Sequence, residues 1–436
     1  MHRALPIVAF ALSLAASPGE CGEAVVADPD AQVEYSGTLS ILTKFGMQQL
    51  APYFVGVAKE YEKRHPGVKI ELIQESDESI KGKTRTLVAA NALPDIYFSW
   101  PGSWGRNFVR SHRAVDLSRL LGPETAWGKT LAPAAVRAFE YNGRFYGIPL
   151  YLDAKFMGYN KSIFKKAGVA VPGSLEQLVA SCADLRKAGI PPIALGNKEG
   201  WPALHFVGQL LVYNVPRATL ERDFDPAKAR FDDPGYVLSL QQFKQLADHC
   251  TDGVAVNGSS YAAALQKFSN ADAAMYYQEI IEFDQSAVAG TRLRPADFGF
   301  FRLPPPAGAQ GDVNAIEGAP EGYMLNASSK KIPLAIDFMK FLTAPDHARR
   351  LSAPPYGQPS ATIGGASASD MTPAVVAGLQ EIAAASYLMP WLDTANSPRV
   401  AAAWLSSLQA LLGGSMDAHA VMGAVKKASA ADAKHP

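Results

Sequence analysis

The sequence predicts an α/β protein with two domains, each built on a mostly parallel sheet that is covered by helices. A chain of 436 residues is too long for one hydrophobic core, so at least two domains are expected. Strand-like and helix-like segments alternate between residues 37 and 100, which is typical of parallel α/β sheets. A similar region follows an apolar strand that carries Pro149 and Asp153. A proline and a carboxylate in so apolar a strand indicate a crossing between domains, with the acid facing a cleft.

The first α/β region supplies candidate binding residues at the ends of its strands. Strands are expected at 37–43, 68–73 and 95–100, and helices at 50–65 and 80–92. Ligands of such sheets bind beyond the carboxyl ends of the strands. Lys44 follows the first strand, and the stretch 100–104, expected as a loop, carries Trp100 and Trp104. These three residues are therefore candidates for contact with a ligand.

The second region continues the alternation to the end of the chain. Ser174 is expected to cap a helix, with Gln177 at the capping-box position. The helical tail is interrupted at Pro390 and at residues 413–414, where two glycines occur. Helices are expected at 174–188, between 202 and 249, and at 262–270, 332–343 and 372–430; strands are expected at 189–195, 273–277, 298–303 and 323–326.

Composition excludes several classes of function. Lys and Arg together number 41, as do Asp and Glu, so the net charge is zero and no nucleic-acid-binding surface is expected. No apolar run beyond the N-terminus is long enough to cross a membrane. The eight histidines show no metal-binding spacing, and no nucleophile elbow or phosphate-binding loop is present. We expect neither a cofactor nor a metal.

The N-terminus has the pattern of a secretory signal peptide. Residues 1–3 are basic in character, residues 4–16 are apolar, and small residues follow. We expect residues 1–22 to be removed on export to the periplasm; the alternative is a buried N-terminal helix. Cys21 raises the further alternative of a lipid anchor. A lipoprotein cleavage site requires a small residue immediately before the cysteine, and Glu20 does not match that requirement well.

Two further cysteines, Cys182 and Cys250, remain after such processing. Both fall in segments expected to be helical. In an exported chain two cysteines can form a disulfide. The sequence cannot place them within the Cα separation of roughly 4.4–6.8 Å that a disulfide requires. A disulfide and two buried free thiols therefore both remain open.

Several short motifs occur in a characteristic order along the chain. They are residues 61–68 (YEKRHPGV), 93–96 (LPDI), 143–149 (GRFYGIP), 159–161 (YNK), 189–197 (GIPPIALGN), 273–275 (AAM), 327–330 (ASSK) and 335–342 (AIDFMKFL). This order, from about Gly37 to Ala430, resembles the extracellular solute-binding proteins of sugar ABC importers, the maltose-binding-protein class. The resemblance implies a two-lobe periplasmic-binding-protein fold, with a ligand cleft between lobes joined by hinge crossings.

The resemblance also implies lobe boundaries. The N-lobe is expected to comprise residues 37–149 and 322–352, and the C-lobe residues 150–318 and 356–436. Crossings are expected near 147–154 and 314–323, with a third connection near 353–359. Asp153 lies seven residues before Asn160, where the family carries a cleft acid. It is expected to accept hydrogen bonds from a ligand; its alternative role is a salt bridge that closes the hinge.

Other candidates have competing structural roles. Trp100, Trp104, Trp201 and Trp391 are expected in loops or at strand ends, where each either stacks on a sugar or packs structurally. Trp127 and Trp404 are expected to be structural. Many relatives carry a Gly and a ligand-contacting Trp after the AAM strand, whereas this chain offers Gln278 and Glu279. The remaining candidates are Lys44, Glu321 and Asp393. Lys44 is alternatively a surface lysine, Glu321 part of a solvated loop, and Asp393 the cap of a helix.

The resemblance implies binding without chemistry. The expected function is that of a monomer that binds a mono- or oligosaccharide and delivers it to the permease subunits of an ABC importer. Two alternatives stay open at this stage. One is a receptor that presents its ligand to a membrane sensor. The other is a glycosidase, which would need two carboxylates about 5–10 Å apart.

Overall fold

The computed structural model describes residues 24–287 and 290–433. The predicted signal peptide, residues 1–22, and Cys21 lie outside these ranges. No helix in the described ranges is both long and apolar enough to traverse a bilayer. The strands are β1 (Gly37–Thr43), β2 (Val68–Gln74), β3 (Ile96–Ser99), β4 (Glu140–Tyr141), β5 (Arg144–Phe145), β6 (Gly147–Asn160), β7 (Ile193–Ala194), β8 (Met275–Glu279), β9 (Phe298–Phe301), β10 (Ile316–Leu325) and β11 (Leu388–Met389).

Helices cover the sheet and fill the space between its strands. They are α1 (Ala51–Arg64), α2 (Ile80–Ala89), α3 (Ser103–Arg110), α4 (Ser118–Leu121), α5 (Pro133–Ala138), α6 (Lys161–Ala167), α7 (Leu175–Lys187), α8 (Trp201–Asn214), α9 (Arg217–Asp223), α10 (Pro234–Cys250), α11 (Tyr261–Ser269), α12 (Phe283–Ser286), α13 (Ile332–Leu342), α14 (Pro345–Ser352), α15 (Pro373–Ala384), α16 (Leu392–Ala395), α17 (Pro398–Leu412) and α18 (Ala418–Asp432). The expected cap of α7 is present, since Ser174 accepts a hydrogen bond from the Gln177 amide.

Within the described residues, most strands join one mixed sheet in the order β2–β1–β3–β10–β6–β8–β7. Strands β1, β2 and β3 pair in parallel, as do β7 and β8. Strands β10 and β6 run between these two parallel groups and are antiparallel to each other. Strand β10 is also antiparallel to β3, and β6 is antiparallel to β8. Strand β9 pairs with β6, and β11 with β10. The two parallel groups are thus connected through two long antiparallel strands.

The crossing strands carry an irregularity at Pro149. Tyr151 pairs with Glu321, but the next pair along the ladder joins Pro149 to Gly322, so Leu150 is an extra residue on β6. Pro149 has no N–H to donate to the ladder, which favours a bulge at this position. The connection after α14 fills the gap, because the amide of Ala361 donates to the carbonyl of Leu150.

Two clusters of buried hydrophobic side chains hold the fold together. The larger surrounds β1, β3, β10 and α13 and continues into α11 and the segment around Phe283. The second packs α7, α8, α10, α17 and α18 against β7 and β8. Trp127 lies in the first cluster and Trp404 in the second, where their burial accords with structural roles. The lobe boundaries expected from the sequence remain predictions, because the first cluster spans both proposed lobes.

Cys182 of α7 and Cys250 of α10 form a disulfide, with their Cα atoms 5.2 Å apart. The two cysteines are 68 residues apart in sequence, so the bond joins two separate helices. Both cysteines are fully buried within the second hydrophobic cluster. The choice between a disulfide and two free thiols, which the sequence left open, is therefore resolved in favour of the disulfide.

Several local expectations differ from the structure. The segment expected as a loop at 100–104 enters α3, because Gly102 at φ +78° turns the chain into a helix that carries Trp104. The strand expected at 273–277 is shifted to β8, so Gln278 and Glu279 are strand residues; the ladder with β6 extends that far. Trp201, expected in a loop, is the first residue of α8. The sheet is mixed where a mostly parallel one was expected, because both crossings are themselves strands.

Candidate functional site

A small cavity lies at the polar face of β6, β8 and β10. Its volume is about 20 Å³, enough for about one water molecule. Residues from α2, from the turn before it, from the end of β3 and from β10 approach from one side. Residues from α8, β8 and the segment before α16 approach from the other. The lining residues are Asp77, Lys81, Trp100, Trp201, His205, Glu279, Glu321 and Trp391.

The polar face follows from the two-residue period of strands. Tyr151, Asp153 and Lys155 occupy alternate positions of β6 and so project from the same face of the sheet. Across the ladder, Glu321 of β10 pairs with Tyr151, and Glu279 of β8 pairs with Lys155. Side chains at paired positions lie side by side. Three strands therefore bring their acidic and basic groups together beneath the cavity.

The first charged group, which we name the Lys44 cluster, comprises Lys44, Asp77, Trp100, Tyr151 and Glu321. Lys44 Nζ lies 2.8 Å from Asp77 Oδ1 and 2.5 Å from Glu321 Oε2. Trp100 Nε1 donates to Glu321 Oε1 at 2.6 Å, and the Tyr151 hydroxyl donates to Glu321 Oε2 at 2.6 Å. Each oxygen of the Glu321 carboxylate therefore has at least one donor.

Burial and charge act in opposite directions on the groups of the Lys44 cluster. Burial raises the pKa of Glu321 and of Asp77, and the ammonium of Lys44 opposes that rise. Burial would lower the pKa of Lys44, but the charges of Asp77 and Glu321 outweigh it and hold that pKa well above its usual range. Lys44 is thus a permanent cation that keeps two buried carboxylates in place.

The second charged group, the Lys155 cluster, comprises Asp153, Lys155, Tyr261, Glu279 and Glu282. Lys155 Nζ lies 3.3 Å from Glu279 Oε1 and donates to the Tyr261 hydroxyl at 2.9 Å. That hydroxyl donates to Glu282 Oε2 at 2.5 Å, which also accepts from the Glu279 amide at 3.0 Å. Glu282 therefore supports the cluster from behind, whereas Glu279 faces the cavity.

Asp153 and Glu279 act as one acidic pair. Burial, reinforced by the charges of Glu279 and Glu321, raises the pKa of Asp153 well above its usual range. Burial opposes ionisation of Glu279 too, but Lys155 and Lys44 outweigh it and lower the pKa of Glu279. Asp153 therefore binds a proton more tightly than Glu279 does. Within the part of the chain that the structure describes, neither oxygen of Asp153 nor Glu279 Oε2 has a conventional hydrogen-bond partner.

Two more buried carboxyl groups stand behind the cavity. Burial, with the charge of Glu279, raises the pKa of Glu282 to about 8. Burial also raises the pKa of Glu317 well above its usual range, and the ammonium of Lys155 only partly opposes it. Glu317 lies against α8 at Gly208, where a Cβ would stand 2.2 Å from Glu317 Oε1. Only glycine at that position leaves room for the carboxyl group.

An ion pair closes the cavity from the side of α2. Lys81 Nζ bonds to Asp393 Oδ2 and lies 4.6 Å from the centroid of the Trp100 ring. Lys81 belongs to α2 and Asp393 to α16, so the pair joins segments far apart in sequence. The same ammonium is therefore held by a carboxylate and an aromatic face.

Aromatic rings form the opposite wall. The rings of Trp391 and His205 stack with centroids 4.6 Å apart, and the Trp201 centroid lies 4.3 Å from that of Tyr261. Burial lowers the pKa of His205 well below its usual range, with Lys155 adding to the effect, so this ring is neutral. Gly200 at φ +82° turns the chain so that α8 starts with Trp201 at the cavity.

Most of the sequence-predicted site residues gather here. Lys44, Asp153 and Asp393 lie directly behind the lining, in contact with Glu321, Glu279 and Lys81 as described above. The predicted residues that line the cavity itself are Trp100, Trp201, Glu279, Glu321 and Trp391.

Trp104 and Gln278 do not line the cavity. Trp104 packs at 5.5 Å from the ring of Trp100 and faces a groove between α2, α3 and α17. Gln278 projects from the other face of β8 and accepts a hydrogen bond from Ser286. A Cβ atom at position 158 would stand 1.9 Å from Nε2 of Gln278, so only the absence of a side chain at Gly158 leaves space for this amide. A glycine within a strand signals such a close approach.

Sequence reasoning did not select Asp77, Lys81, Lys155, His205 or Glu282. Lys155 carries a usable signal, since residues 151, 153 and 155 alternate polar groups within an apolar strand. The others reach the cavity from helices and turns, where no local pattern marks them. No group of three or more metal-ligating side chains is arranged to hold a metal ion within the described ranges.

Two larger grooves are less suited to a specific ligand. One of about 950 Å³ is lined mainly by apolar side chains of the segments around Phe283, Phe298, Pro354 and Pro373. The other, of about 430 Å³, is the groove that Trp104 faces. Neither brings together buried charges and aromatic faces as the small cavity does, so convergence of chemistry, rather than volume, identifies the site.

Sequence comparison places the chain among known proteins. The sequence profile of bacterial extracellular solute-binding proteins matches residues 47–349, more than half of the chain. An alpha-glucosides-binding periplasmic protein of Rhizobium meliloti is 26% identical over 295 residues, covering 63% of this chain and 62% of that protein. A multiple sugar-binding protein of Streptococcus mutans is 24% identical over 223 residues, covering 50% of this chain and 52% of that protein. The chain thus spans about half to two thirds of the length of such relatives.

Solved structures match a larger part of the chain. A chitin oligosaccharide binding protein has a TM-score of 0.83 at 20% identity and covers 92% of this chain and 100% of that one. A maltose-bound protein of T. maritima has a TM-score of 0.75 at 18% identity, with coverage of 90% and 99%. These likenesses confirm the predicted fold class, an α/β fold of two lobes with a cleft between them.

Proposed function

The chain belongs to the family of bacterial extracellular solute-binding proteins, and from that premise we propose that it binds a carbohydrate in the interlobe cleft and delivers it to an ABC permease. One observation carries the ligand class: the cavity combines aromatic faces with buried carboxyl groups. Aromatic rings stack on the C–H faces of sugars, and carboxylates accept strong hydrogen bonds from hydroxyl groups. The sugar-binding names of two relatives point the same way.

We assign the binding roles by position. Asp153 and Glu279 have oxygens without conventional partners in the described part of the chain, so they are the acceptors for ligand hydroxyls. Trp201 and Trp391 stack on sugar rings from the C-lobe side. Trp100, Lys44 and Glu321 complete the site from the N-lobe side.

The other predicted contacts depend on lobe movement. Asp393 is engaged by Lys81 and is freed for a ligand only when that pair separates. Trp104 and Gln278 remain predictions from the sequence, and both would have to become accessible on opening.

Binding requires movement of the lobes. A cavity for about one water molecule cannot admit a pyranose ring. We assign residues 37–149 and 322–352 to the N-lobe, and residues 150–318 and 356–436 to the C-lobe. The lobes open by bending at β6, β10 and the connection 353–359, and a ligand then stabilises the closed form by mass action.

The cellular context follows from the family. The protein acts outside the cytoplasmic membrane, and the permease subunits of an ABC importer are its partners. Periplasmic location, removal of residues 1–22 and a monomeric state complete the proposal. It binds without chemistry, so pure protein incubated with oligosaccharides should produce no new reducing ends. Their appearance would favour a glycosidase that uses Asp153 and Glu279.

A thermal-shift screen over mono- and oligosaccharides tests the proposed ligand class. Amino acids, peptides and metal ions serve as the comparison classes. We expect at least one carbohydrate to raise the midpoint of unfolding in a concentration-dependent manner. A shift with amino acids, peptides or metals, and none with any carbohydrate, would overturn the ligand class. Reconstitution with the permease would then separate transport from presentation to a membrane sensor.

A further inference from the structure

Carboxyl groups outnumber ammonium groups around the cavity. Among the described residues, seven carboxyl groups lie in the two clusters or close to them, against three ammonium groups. The carboxyl groups are Asp77, Asp153, Glu279, Glu282, Glu317, Glu321 and Asp393, and the ammonium groups are those of Lys44, Lys81 and Lys155. The ring of His205 is neutral and does not compensate. Burial raises the pKa of Asp153, Glu282 and Glu317 and so favours their neutral forms, which leaves four carboxyl groups for three ammonium groups. Buried charges are usually paired, so the remaining imbalance needs an explanation.

The excess is concentrated on the side of the Lys155 cluster. In the Lys44 cluster, both oxygens of Glu321 accept hydrogen bonds. By contrast, among residues the structure describes, neither oxygen of Asp153 has a conventional partner, and neither does Oε2 of Glu279, a residue that lines the cavity. These side chains are at least nine-tenths buried, with exposures of 1% and 5%. Glu279 lines the cavity and Asp153 lies directly behind it, in contact with Glu279, so the pair offers acceptor capacity to a bound molecule.

The walls of the cavity already hold ammonium groups. Lys81 Nζ lies 4.6 Å from the Trp100 centroid, and Lys155 Nζ lies 5.3 Å from the Trp201 centroid. Each of these ammonium groups is also paired with a carboxylate, from Asp393 or Glu279. Aromatic faces and carboxylates are the two kinds of group that stabilise an ammonium ion away from water. The cavity therefore has the chemistry of a cation site in addition to that of a sugar site.

We propose that the natural ligand is a saccharide that carries a protonated amino group. This inference rests on the proposed function, since it assigns a substrate class to the same cleft. The ammonium group lies against Glu279 Oε2 and Asp153, and the ring stacks between Trp201 and Trp391. A neutral sugar would leave the excess carboxyl groups protonated, whereas an ammonium group lets one of them ionise and form a charge-assisted hydrogen bond.

Isothermal titration calorimetry with matched sugars tests the inference. The probes are glucosamine, galactosamine and mannosamine, each with its N-acetyl derivative and its parent hexose, together with the corresponding β-1,4-linked glucosamine, N-acetylglucosamine and glucose disaccharides. Within a matched set the ring is constant and only the amino group changes. We expect an amino sugar to bind about tenfold to a hundredfold more tightly than its N-acetyl and hydroxyl counterparts. Equal or tighter binding of the neutral forms would overturn the inference and leave the proposed function intact.

The variant Glu279→Gln keeps the shape of the side chain and removes its charge. We expect it to reduce the preference for the amino sugar over its neutral analogue to about threefold or less, because the amino sugar loses a charge-assisted bond and the neutral analogue only a neutral one. Asp346→Asn is the control, because Asp346 is an acid with a side chain 91% exposed, remote from the cavity. An equal loss for charged and neutral sugars would place Glu279 at a hydroxyl and overturn the amine assignment. Failure of every carbohydrate to bind the wild-type protein would overturn both proposals.

Discussion

Two buried lysines flank the cavity, and their surroundings differ. Lys44 lies between two carboxylates, and the Glu321 carboxylate is further satisfied by Trp100 and Tyr151. Lys155 has one carboxylate partner at a longer distance, 3.3 Å, and a neighbouring acid, Asp153, without a conventional partner in the described ranges. The Lys44 cluster is complete in itself, whereas the Lys155 cluster has acceptors to spare. Stability is therefore expected to depend more on the first and ligand binding more on the second.

The largest expected effect is on stability and comes from Lys44→Met. The change leaves Asp77 and Glu321 buried without their cation, and breaking a buried ion pair typically costs about 3–5 kcal/mol. The free energy of unfolding, measured by urea denaturation with circular dichroism, should fall by about that amount. The same change at Lys155 should cost less, because Lys155 has a carboxylate partner only at 3.3 Å and the pKa of the neighbouring Asp153 is already raised well above its usual range.

Lys69→Met is the control for this pair of variants, since Lys69 is exposed on β2 and should change stability little. If Lys155→Met proves as destabilising as Lys44→Met, the two clusters are equivalent in stability and the comparison fails.

The next effect is on binding and comes from Asp153→Ala. Asp153 and Glu279 form one acidic pair that carries a negative charge, and losing a hydrogen bond to a charged group typically costs about 1.5–3 kcal/mol. Affinity for a sugar identified by the screen should therefore fall roughly tenfold to a hundredfold. The free energy of unfolding should stay within about 1 kcal/mol of the wild type, because the carboxyl group makes no conventional hydrogen bond to the described fold. Calorimetry and denaturation on the same preparation test both. If Asp153→Ala binds the sugar as tightly as the wild type while Glu279→Gln binds it more weakly, the ligand contacts β8 rather than Asp153 of β6.

A third effect is the pH dependence that Glu282 contributes. Its pKa in the folded protein is about 8, above the value near 4.5 of an unfolded chain. The folded state therefore binds the proton more tightly, and stability present below the unfolded pKa is lost as pH rises towards 8. Between pH 6 and pH 8 the wild type should lose about 2 kcal/mol relative to Glu282→Gln, at about 1.4 kcal/mol per pKa unit. A constant gap between the two proteins would show that Glu282 is ionised throughout.

The smallest effect is expected for Trp201→Phe. A phenyl ring keeps an aromatic face but offers less area, and aromatic contacts are worth about 0.5–1.5 kcal/mol, so affinity should fall roughly twofold to tenfold. The ligand-induced change in tryptophan fluorescence should also decrease. Trp127→Phe is the control, because Trp127 is buried away from the cavity and bonds to Thr343. If the ligand-induced fluorescence change disappears in Trp127→Phe but persists in Trp201→Phe, the signal does not arise from Trp201.

The sequence alone was sufficient for the fold class and for part of the site. Strand and helix periods located β1, β2, α1 and α7 closely, because their apolar patterns are local. Asp153 was marked by a charge in an apolar strand. The Lys155 cluster was mostly missed, because it depends on which strands become neighbours. Lys155 faces Glu279 only through the β6–β8 register, and Tyr261 and Glu282 arrive from separate turns of the chain.

Non-local packing also decided the residues that do not line the cavity. Trp104 was expected in a loop, but Gly102 starts a helix that directs it to a different groove. Gln278 and Glu279 are adjacent in sequence and lie on opposite faces of β8, which the strand period dictates once the strand is known to extend so far. The interior glycine Gly158 was a local sign that a side chain crosses that strand, and in the structure that side chain is Gln278.

The bond between Cys182 and Cys250 bears on how preparations of the protein should be compared. Material synthesised in a reducing compartment would carry two buried thiols there, and removing a native disulfide typically costs about 2–5 kcal/mol. Two batches of identical sequence can therefore differ in midpoint of unfolding as much as wild type and variant do. Counting free thiols in denatured aliquots, before any melting curve is interpreted, distinguishes the history of a batch from the effect of a mutation.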